Sequence, residues 1–416
     1  MAVALESPSA VMLPVESVQF VRELYPRLRE DDAAIERYRA ALDRLPPIIV
    51  ARGRVLVDGF HRWQAHRREQ AETIAAVDLG DLADIEILKE SVRRNSGHGR
   101  QLDTRDKKRM ADQLWRQGVR DESELADLLS ITPKTCAEYV RGAKRDERQA
   151  QKESAWDRWL NCESYRQIGA ALDVDHQTVA AWCGEFSNQL GNSPPDSRQH
   201  FDVWPFAQSD DDAGAASFFG RMPPQVVENL LWRYTEPGQI VVDPFAGSGT
   251  TIDVAKRMGR RVWASDLYPS TPMLPIHQHD IASGWPPSAP GRAELIVLDP
   301  PYWKQAAGRY SSDERDLGNQ TLDEFMASWR AVVAACMPHL GSGGRLAFIV
   351  SPTHDGERVV DHALEMWFTC RDQGLAVERR YIVPYQTQQA TGQQVEWARE
   401  HRVDLKLYRD LVVMRT

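Results

Sequence analysis

The segment IVVDPFAGSGTT, residues 240–251, determines the architecture of the second half of this chain. An apolar strand pattern ends at Asp243, a Gly-rich turn follows it, and a helical pattern begins at Thr251. Glycines in such a turn let backbone amides approach a ligand at the carboxyl end of a strand, next to a helix N-terminus. A Gly-rich turn alone is a weak signal, because many such turns only connect a strand to a helix.

Further strand patterns follow the turn at RVWASDL (261–267), ELIVLDP (294–300) and RLAFIVS (345–351), with helical segments between them. This alternation predicts an α/β domain with a doubly wound, mostly parallel sheet, of the Rossmann-like class. Two later patterns, AVERRYIVPY (376–385) and DLVVMRT (410–416), are predicted to pair as an antiparallel edge.

An acidic residue lies at the end of the strand after the Gly-rich turn. Asp266 is about 20 residues beyond the turn, where a carboxylate can hold the ribose hydroxyls of a nucleotide-like cofactor. The turn and this aspartate together are a much stronger signal than either one alone. The chain has no GxxxxGK[ST] sequence, so a phosphate-binding Walker loop is disfavoured.

The motif DPPYW, residues 299–303, follows an apolar strand and is expected at the same sheet edge as the Gly-rich turn. An amine attached to an aromatic ring is a poor nucleophile, because its lone pair is delocalised into the ring. Asp299 and the carbonyl of Pro300 can accept its two N–H bonds and free the lone pair for attack. Pro300 and Pro301 fix the direction of that carbonyl. Tyr302 offers a stacking face to a base removed from the duplex, whereas wall and packing roles stay open for Trp303.

DPFAGSGTT closely resembles the first motif of the S-adenosylmethionine-dependent methyltransferases that modify exocyclic amines in DNA, and residues 220–416 resemble that family. The resemblance implies that Asp243 and Gly247 lie near the methionine moiety, with Phe245 beside it. It places Asp266 on the ribose and Asp280 near the adenine amine, although a purely structural turn role stays open for Asp280. The implied cofactor-binding residues are Asp243, Pro244, Phe245, Ala246, Gly247, Ser248, Gly249, Thr250, Asp266 and Asp280.

We call the DPPYW motif the amine clamp. In this family, an aspartate at its first position, here Asp299, favours adenine N6 over cytosine N4 as the target. A cytosine C5 methyltransferase would need a cysteine nucleophile, and no Pro-Cys motif is present. Protein glutamine methylation, which uses clamps that more often begin with Asn, is a minor alternative.

The N-terminal segments LPVESV (13–18), residues 45–68 and ESVRRNSGHG (90–99) resemble the ParB/sulfiredoxin-like domain. The resemblance implies a phosphate or nucleotide site at Gly59, His61, Arg62 and Arg94. Phe60 and His61 replace a Glu-Arg pair of partition proteins, which argues against nucleotide turnover. A histidine that fixes the turn by hydrogen bonding is favoured over a catalytic one, and sulfiredoxin activity is excluded because no Cys precedes residue 136.

Two helix-turn-helix patterns follow, at residues 123–142 and 165–186. The second places His176, Gln177 and Thr178 at the start of a recognition helix. Basic side chains near the first pattern include Lys134 and Arg141. Solvated helix faces are the commoner explanation of basic runs. The tandem placement of the two helix-turn-helix units beside these basic residues nevertheless favours DNA contact.

The bulk composition restricts the class of protein. The net charge of −9 argues against non-specific coating of nucleic acid, and no apolar run is long enough for a membrane span. The five cysteines form no CxxC pair, so neither a disulfide framework nor a metal site is predicted. A cytoplasmic protein of bacterial, archaeal or phage origin is expected.

The predicted organisation is a ParB/sulfiredoxin-like domain at 1–100, a helix-turn-helix DNA-binding region at 101–190, a linker at 191–219 and a methyltransferase domain at 220–416. The leading hypothesis is an S-adenosylmethionine-dependent methyltransferase that acts on double-stranded DNA with base flipping, in the manner of restriction-modification enzymes. The alternative is a ParB-like regulator or partition-type clamp whose methyltransferase half senses the cofactor. A homodimer and a nucleotide bound at the ParB-like domain are left open.

Overall fold

The structure is a computed structural model that describes residues 10–27, 30–97, 102–206, 213–215, 218, 220–269, 274–385 and 391–416. Its contacts separate the chain into two compact units, Met1–Ala150 and Gln151–Thr416. No helix among these described residues is long and apolar enough to cross a membrane.

The first unit contains a four-stranded sheet in the order β1-β4-β2-β3, with two helices between its strands and further helices after it. Only β2 and β4 pair in parallel. Its strands are β1 (Val11–Pro14), β2 (Ile48–Ala51), β3 (Val55–Asp58) and β4 (Thr73–Asp78). Its helices are α1 (Asp32–Arg39), α2 (Phe60–Arg68), α3 (Asp84–Gly97), α4 (Thr104–Arg116), α5 (Glu122–Leu129) and α6 (Pro133–Leu160), which continues into the second unit.

Alternating side chains of this sheet pack into two cores, one on each face. Val50 and Leu56 pack with Phe60 and Trp63 on one face, while Val57 packs with α3 to α6 on the other. The first strand ends at Pro14, and a 3-10 turn begins at Val15. The proline is the reason, because its fixed φ of −58° suits entry into the turn.

The second unit begins with the helical hairpin of α7 (Tyr165–Leu172) and α8 (His176–Leu190). Ile168, Val179 and Trp182 form its core together with Trp159 from the end of α6. Asp157 and Trp159 also reach the following domain, through a 3.0 Å ion pair with Lys256 and a cation–π contact with Arg261.

These contacts assign the second hairpin to the same unit as the large sheet, so that the chain divides after Ala150. The sequence instead predicts the main boundary at about 187–212, because GNSPPDSRQ and QSDDDAG lack periodicity and carry the breakers and charges typical of a linker. The four-part division stays a prediction, and residues 207–212, 216–217 and 219 of the predicted linker lie outside the described residues.

The predicted doubly wound, mostly parallel sheet is confirmed. Seven strands lie in the order β12-β13-β9-β8-β5-β6-β7. The strands of this unit are β5 (Ile240–Asp243), β6 (Arg261–Asp266), β7 (Ile276–Gln278), β8 (Ala293–Leu298), β9 (Leu340–Val350), β12 (Ala376–Pro384) and β13 (Tyr408–Arg415), with a separate hairpin of β10 (Thr353–Asp355) and β11 (Arg358–Val360). Its further helices are α9 (Pro224–Tyr234), α10 (Thr250–Arg257), α11 (Leu322–Cys336), α12 (His362–Asp372) and α13 (Gly392–His401).

Neighbouring residues of β5 pack into cores on opposite faces of the sheet, which explains the unbroken apolar run of this strand. Val241 packs with α9 and α10, and Val242 packs with α11 and α12. The predicted antiparallel pair is also present, but β13 inserts between β9 and β12 and is an internal strand.

A short segment before the large sheet is anchored to β12. Val203 bridges to Ile382, and the indole of Trp204 stacks on Tyr381 at 4.1 Å between ring centroids. Trp204 is fully buried, and its Nε1 donates to the carbonyl of Phe201. This part of the predicted linker is therefore packed against the sheet.

Candidate active site

A cavity of about 980 Å³ lies at the carboxyl edge of the large sheet. The chain leaves β5 towards β6 on one side and later returns to β8 on the other, so the strand order reverses between β5 and β8. Ligands of open α/β sheets bind at such a reversal. Both sequence motifs line this cavity, because DPFAGSGTT follows β5 and DPPYW follows β8.

The Gly-rich loop turns sharply at two glycines. Gly247 has φ of 45° and Gly249 has φ of 84°, both in the left-handed region that L side chains rarely adopt. A Cβ on Gly249 would lie 2.0 Å from Leu274 Cδ1, so no larger residue fits there without rearrangement. The hydroxyls of Ser248 and Thr250 form a 2.9 Å hydrogen bond. All predicted loop residues except Gly249 line the cavity.

Asp243 is a buried carboxyl group at the start of the loop, with 4% of its surface exposed. Its Oδ1 accepts a 3.0 Å hydrogen bond from the backbone N–H of Phe245. Burial raises its pKa to about 7, against the hydrogen bonds from Thr251 and Phe245 that favour the charged form. The nearby charges of Asp299 and Asp266 raise the pKa further.

Asp266 closes the opposite side of the loop. Its Oδ2 accepts from the backbone N–H of Gly247 at 2.9 Å, and its Oδ1 accepts from that of Tyr268 at 3.0 Å. Burial raises the pKa of Asp266, while these backbone hydrogen bonds lower it. Asp280 lies in the next turn, where its Oδ1 caps a short 3-10 helix by accepting from Ala282 at 3.0 Å. Both carboxylates also line the cavity, so capping and ligand contact are compatible.

The DPPYW motif forms the neighbouring wall. Asp299, Pro300, Pro301 and Tyr302 all line the cavity. The Tyr302 hydroxyl donates to Asp299 Oδ1 at 3.1 Å. Burial raises the pKa of Asp299 to about 6, although the Arg409 charge and the Tyr302 hydrogen bond oppose that rise. Trp303 is buried and donates to the carbonyl of Gln320, so its role is packing.

Aromatic contacts close the cavity from outside. Phe218, ahead of the Gly-rich loop, stacks on Tyr310 of the segment after the clamp, with ring centroids 5.6 Å apart. Tyr268 donates to Asp313, which is also paired with Arg315 at 2.7 Å. The segment after DPPYW thus contacts residues on both sides of the Gly-rich loop in sequence, Phe218 before it and Tyr268 after it.

Sequence reasoning missed the wall formed by the start of β13 and by the connection between β12 and β13. Residues of this region line the same cavity, namely Tyr385, Gln394, Trp397, Leu405, Lys406, Leu407 and Arg409. The signal that could have revealed it is the charged pair Arg409-Asp410 at the start of an apolar strand, since charges are costly at such buried positions. Arg409 is only 3% exposed.

The donor set fits S-adenosylmethionine. Three carboxylates, from Asp243, Asp266 and Asp280, line the cavity together with the residues of the loop. Carboxylates complement the ammonium, the sulfonium and the ribose hydroxyls of that cofactor. The DPPYW residues line the same cavity, so cofactor and amine can share one space.

The predicted phosphate turn of the first unit is built as a tight helix start. Gly59 has φ of 97°, and a Cβ there would lie 2.7 Å from Ile48 Cγ2. His61 Nε2 accepts from the backbone N–H of Asp31 at 3.1 Å, which is the turn-fixing role that the sequence favours. Arg62 pairs with Asp58 and Arg94 pairs with Glu90. The phosphate role of these residues stays a prediction.

The predicted DNA-contact residues are accessible. Lys134 and Arg141 are exposed and make no ion pair within the described residues. In the second unit, His176 and Gln177 are exposed at the start of α8 and Thr178 is half-buried. Asp175 caps this helix by accepting from Gln177 at 2.8 Å.

Comparisons with known proteins agree with this site. Residues 107–270 match the N6/N4 methyltransferase family model, described as DNA methylase. The match includes DPFAGSGTT and Asp266 and ends before Asp280 and DPPYW. The chain is 41% identical over 70 residues to the type II methyltransferase M2.DpnII of Streptococcus pneumoniae, which covers 16% of this chain and 25% of that protein.

Solved structures similar to parts of the chain are of two kinds. TrmN from Thermus thermophilus is 17% identical, covers 48% of this chain and 50% of its own, and has a TM-score of 0.31. The truncated chromosome-partitioning protein ParB from Caulobacter crescentus, complexed to the centromeric parS site, is 20% identical, covers 32% and 70%, and has a TM-score of 0.26. The chain thus spans about a quarter of the length of the curated relative that it matches, and the family model covers less than half of the chain.

Proposed function

We propose that the protein transfers a methyl group from S-adenosylmethionine to the exocyclic amine of a flipped base in double-stranded DNA, with adenine N6 favoured over cytosine N4. The observation that carries the proposal is the junction of two motifs in one cavity: Asp243 ends β5 and Asp299 follows β8, the strand paired with it. The bound cofactor supplies an electrophilic methyl group. The matching proteins are DNA methyltransferases, which supports DNA as the substrate.

The clamp residues activate the amine. Asp299 Oδ1 already accepts from Tyr302, and Oδ2 accepts no hydrogen bond from the described residues. Oδ2 and the Pro300 carbonyl accept the two amine N–H bonds and draw the nitrogen out of conjugation with its ring. The Asp299 carboxylate also stabilises the positive charge that develops on the nitrogen during transfer. Tyr302 stacks on the base.

The cofactor would be held by the Gly-rich loop and the two carboxylates that follow it. Asp243, Gly247 and Phe245 would hold the methionine moiety, Asp266 would hold the ribose hydroxyls, and Asp280 would accept from the adenine amine. The remaining loop residues, from Pro244 to Thr250, shape this pocket.

The N-terminal modules select or hold the DNA in this proposal. Exposed Lys134 and Arg141 contact phosphates, and His176, Gln177 and Thr178 present donors and acceptors at a helix start. The ParB-like turn at Gly59 to Arg62, with Arg94, offers a site for a nucleotide or a DNA phosphate. The protein acts in the cytoplasm of a bacterial, archaeal or phage-infected cell, as a monomer or homodimer.

The test is a methylation assay with labelled cofactor and varied DNA duplexes, followed by mass spectrometry of the nucleosides. We expect N6-methyladenine from the wild type, with loss of at least about 100-fold in Asp299→Ala. Asp355→Ala is the matched control, because that carboxylate pairs with Lys304 on the surface and does not line the cavity.

Three outcomes separate the hypotheses. Absence of label from every base in wild-type reactions would contradict the methyltransferase proposal and favour a cofactor-sensing regulator. N4-methylcytosine would retain the chemistry and correct the target base. Undiminished modification by Asp299→Ala would show that the clamp is assigned to the wrong residues.

A further inference from the structure

Arg409 occupies an unusual position at the carboxyl edge of the sheet. β13 runs antiparallel to β9, with Asp410 opposite Val350, so its first residues lie where the parallel strands end. The Arg409 side chain lines the cavity and only 3% of the residue is exposed. It therefore places a guanidinium inside the candidate active site.

This guanidinium has no polar partner within the described residues. Its Nε is fully buried without an acceptor, and its neighbour is the ring of Tyr385, whose centroid lies 4.9 Å from the guanidinium carbon. Arg260, which is just as buried, shows what the same fold provides for a structural arginine. Its nitrogens donate to Thr235, Met258 and Asn192.

A buried cation without a hydrogen-bond partner is costly, and such a group is retained where its charge is needed. The charge of Arg409 acts on Asp299. Burial favours the protonated form of Asp299, and Arg409 opposes that effect more strongly than the Tyr302 hydrogen bond does. The guanidinium and the carboxylate form a pair of opposite charges that share one cavity.

We propose that Arg409 is a positioning residue for the amine clamp: its guanidinium keeps the Asp299 carboxylate ionised inside the cavity, so that the carboxylate accepts the N–H of the target amine. This inference rests on the proposed function only for its kinetic consequence. The ionisation of Asp299 is a property of the protein by itself.

Other titratable groups face Asp299 from every neighbouring element. Asp243 ends β5, Tyr302 belongs to the clamp, Tyr310 lies in the segment after it, and Tyr385 follows β12. None of these four is a cation. Four further Arg or Lys side chains line the cavity, namely Arg221, Arg309, Arg315 and Lys406, and Arg315 is already paired with Asp313.

The first test is an infrared pH titration of the full-length protein without DNA. The carboxylic acid band that disappears in Asp299→Asn reports Asp299. We expect its midpoint to rise by at least about one pH unit in Arg409→Met and to stay near the wild-type value in Arg409→Lys. Arg292→Met, which removes an exposed charge outside the cavity, serves as the control. An unchanged midpoint in Arg409→Met overturns the proposal.

The second test is the pH dependence of kcat with DNA. We expect the acidic limb to move upward in Arg409→Met and to return in Arg409→Lys. A loss of equal size at every pH indicates a structural role and overturns the proposal, as does a higher KM for DNA without a shift, which indicates a phosphate contact. If the wild type methylates no DNA, the proposed function fails while the infrared titration still decides the role of Arg409. Arg409→Gln replaces the methionine variant if the latter does not fold.

Discussion

The backbone N–H of Gly247 donates a 2.9 Å hydrogen bond to Oδ2 of Asp266, which ties the Gly-rich loop to the end of the neighbouring strand. Asp266 is therefore both a candidate ribose ligand and a brace for the loop. Its replacement should affect cofactor binding in two ways.

We expect Asp266→Ala to weaken binding of S-adenosylhomocysteine by about 10–100-fold, because hydrogen bonds to a charged group are removed from the ribose and from the loop. Asp266→Asn should weaken it less, since its side-chain oxygen can still accept from Gly247. Isothermal titration calorimetry measures both, and Asp323→Ala at the exposed start of α11 is the control. Equal affinities in wild type and Asp266→Ala would exclude a ribose role.

Tyr302 is predicted to act through its ring and through its hydroxyl. Tyr302→Phe keeps the ring but removes the hydrogen bond that lowers the pKa of Asp299. The pKa of Asp299 should rise above its value of about 6, so activity should fall at acidic pH and recover towards about pH 8. Tyr302→Ala should reduce activity by about 10–100-fold at every pH, since it removes the stacking on the base. Identical pH profiles for both variants would argue against separate roles.

The raised pKa of Asp243 has a consequence for stability. Its folded value of about 7 lies above its ordinary value of 3.8, so between these pH values the folded state binds a proton that the unfolded state has released. Stability should therefore fall as pH rises through this window. Burial also raises the pKa of Asp266 and Asp299, so these two residues change the stability in the same direction as Asp243.

We expect Asp243→Asn, measured by thermal unfolding without cofactor, to match the wild type near about pH 4 and to melt about 3 °C higher above about pH 7. Asp323→Asn provides the control for removal of an exposed carboxylate. A wild-type Tm that rises across the window while Asp243→Asn stays flat would reverse the assigned sign.

Trp204 should be an anchor for the segment before the large sheet. Trp204→Ala removes a fully buried ring stacked on Tyr381 and should lower the free energy of unfolding by about 3–5 kcal/mol. Phe201→Ala is the matched control, because that ring is 77% exposed and contributes only its carbonyl to Trp204. It should change stability by less than about 0.5 kcal/mol. Urea unfolding followed by circular dichroism measures both variants. Equal unfolding midpoints for Trp204→Ala and Phe201→Ala would contradict the anchoring role of Trp204.

Lys134 and Arg141 should bind DNA phosphates. The double variant Lys134→Ala/Arg141→Ala should reduce the slope of log affinity against log salt by about one for each phosphate that is no longer neutralised. Arg116→Ala/Arg120→Ala removes the same charge from side chains that pair with Asp146 and Glu147, and should leave the slope nearly unchanged. Fluorescence anisotropy over a range of salt concentrations measures both. Equal slopes for the wild type and Lys134→Ala/Arg141→Ala would show that these side chains do not contact DNA and only lie on solvated helix faces.

The parallel part of the sheet and both motifs could be predicted from the sequence because their signals are local. Val241 and Val242 mark a strand buried on both faces, and the polar residues of each motif directly follow such a strand. Parallel strands bring their carboxyl ends to one edge, so the junction of Asp243 and Asp299 follows from the pattern alone.

Residues whose position depends on long-range pairing could not be predicted. Arg409 reaches the clamp only because β13 inserts antiparallel between β9 and β12. Trp204 lies in a stretch whose composition is typical of a linker, and one aromatic anchor does not alter that composition. The missing partner of Arg409 is likewise a property of its surroundings and leaves no trace in the sequence.

The internal position of β13 also affects the order of assembly during synthesis. Residues 408–415 pair with strands on both sides, so β12 has no other neighbour of the large sheet until β13 has emerged from the ribosome. A nascent chain that stops before Tyr408 would carry the Gly-rich loop and DPPYW but would lack β13 and, with it, Arg409. The strand thus couples completion of the cavity to translation of this segment.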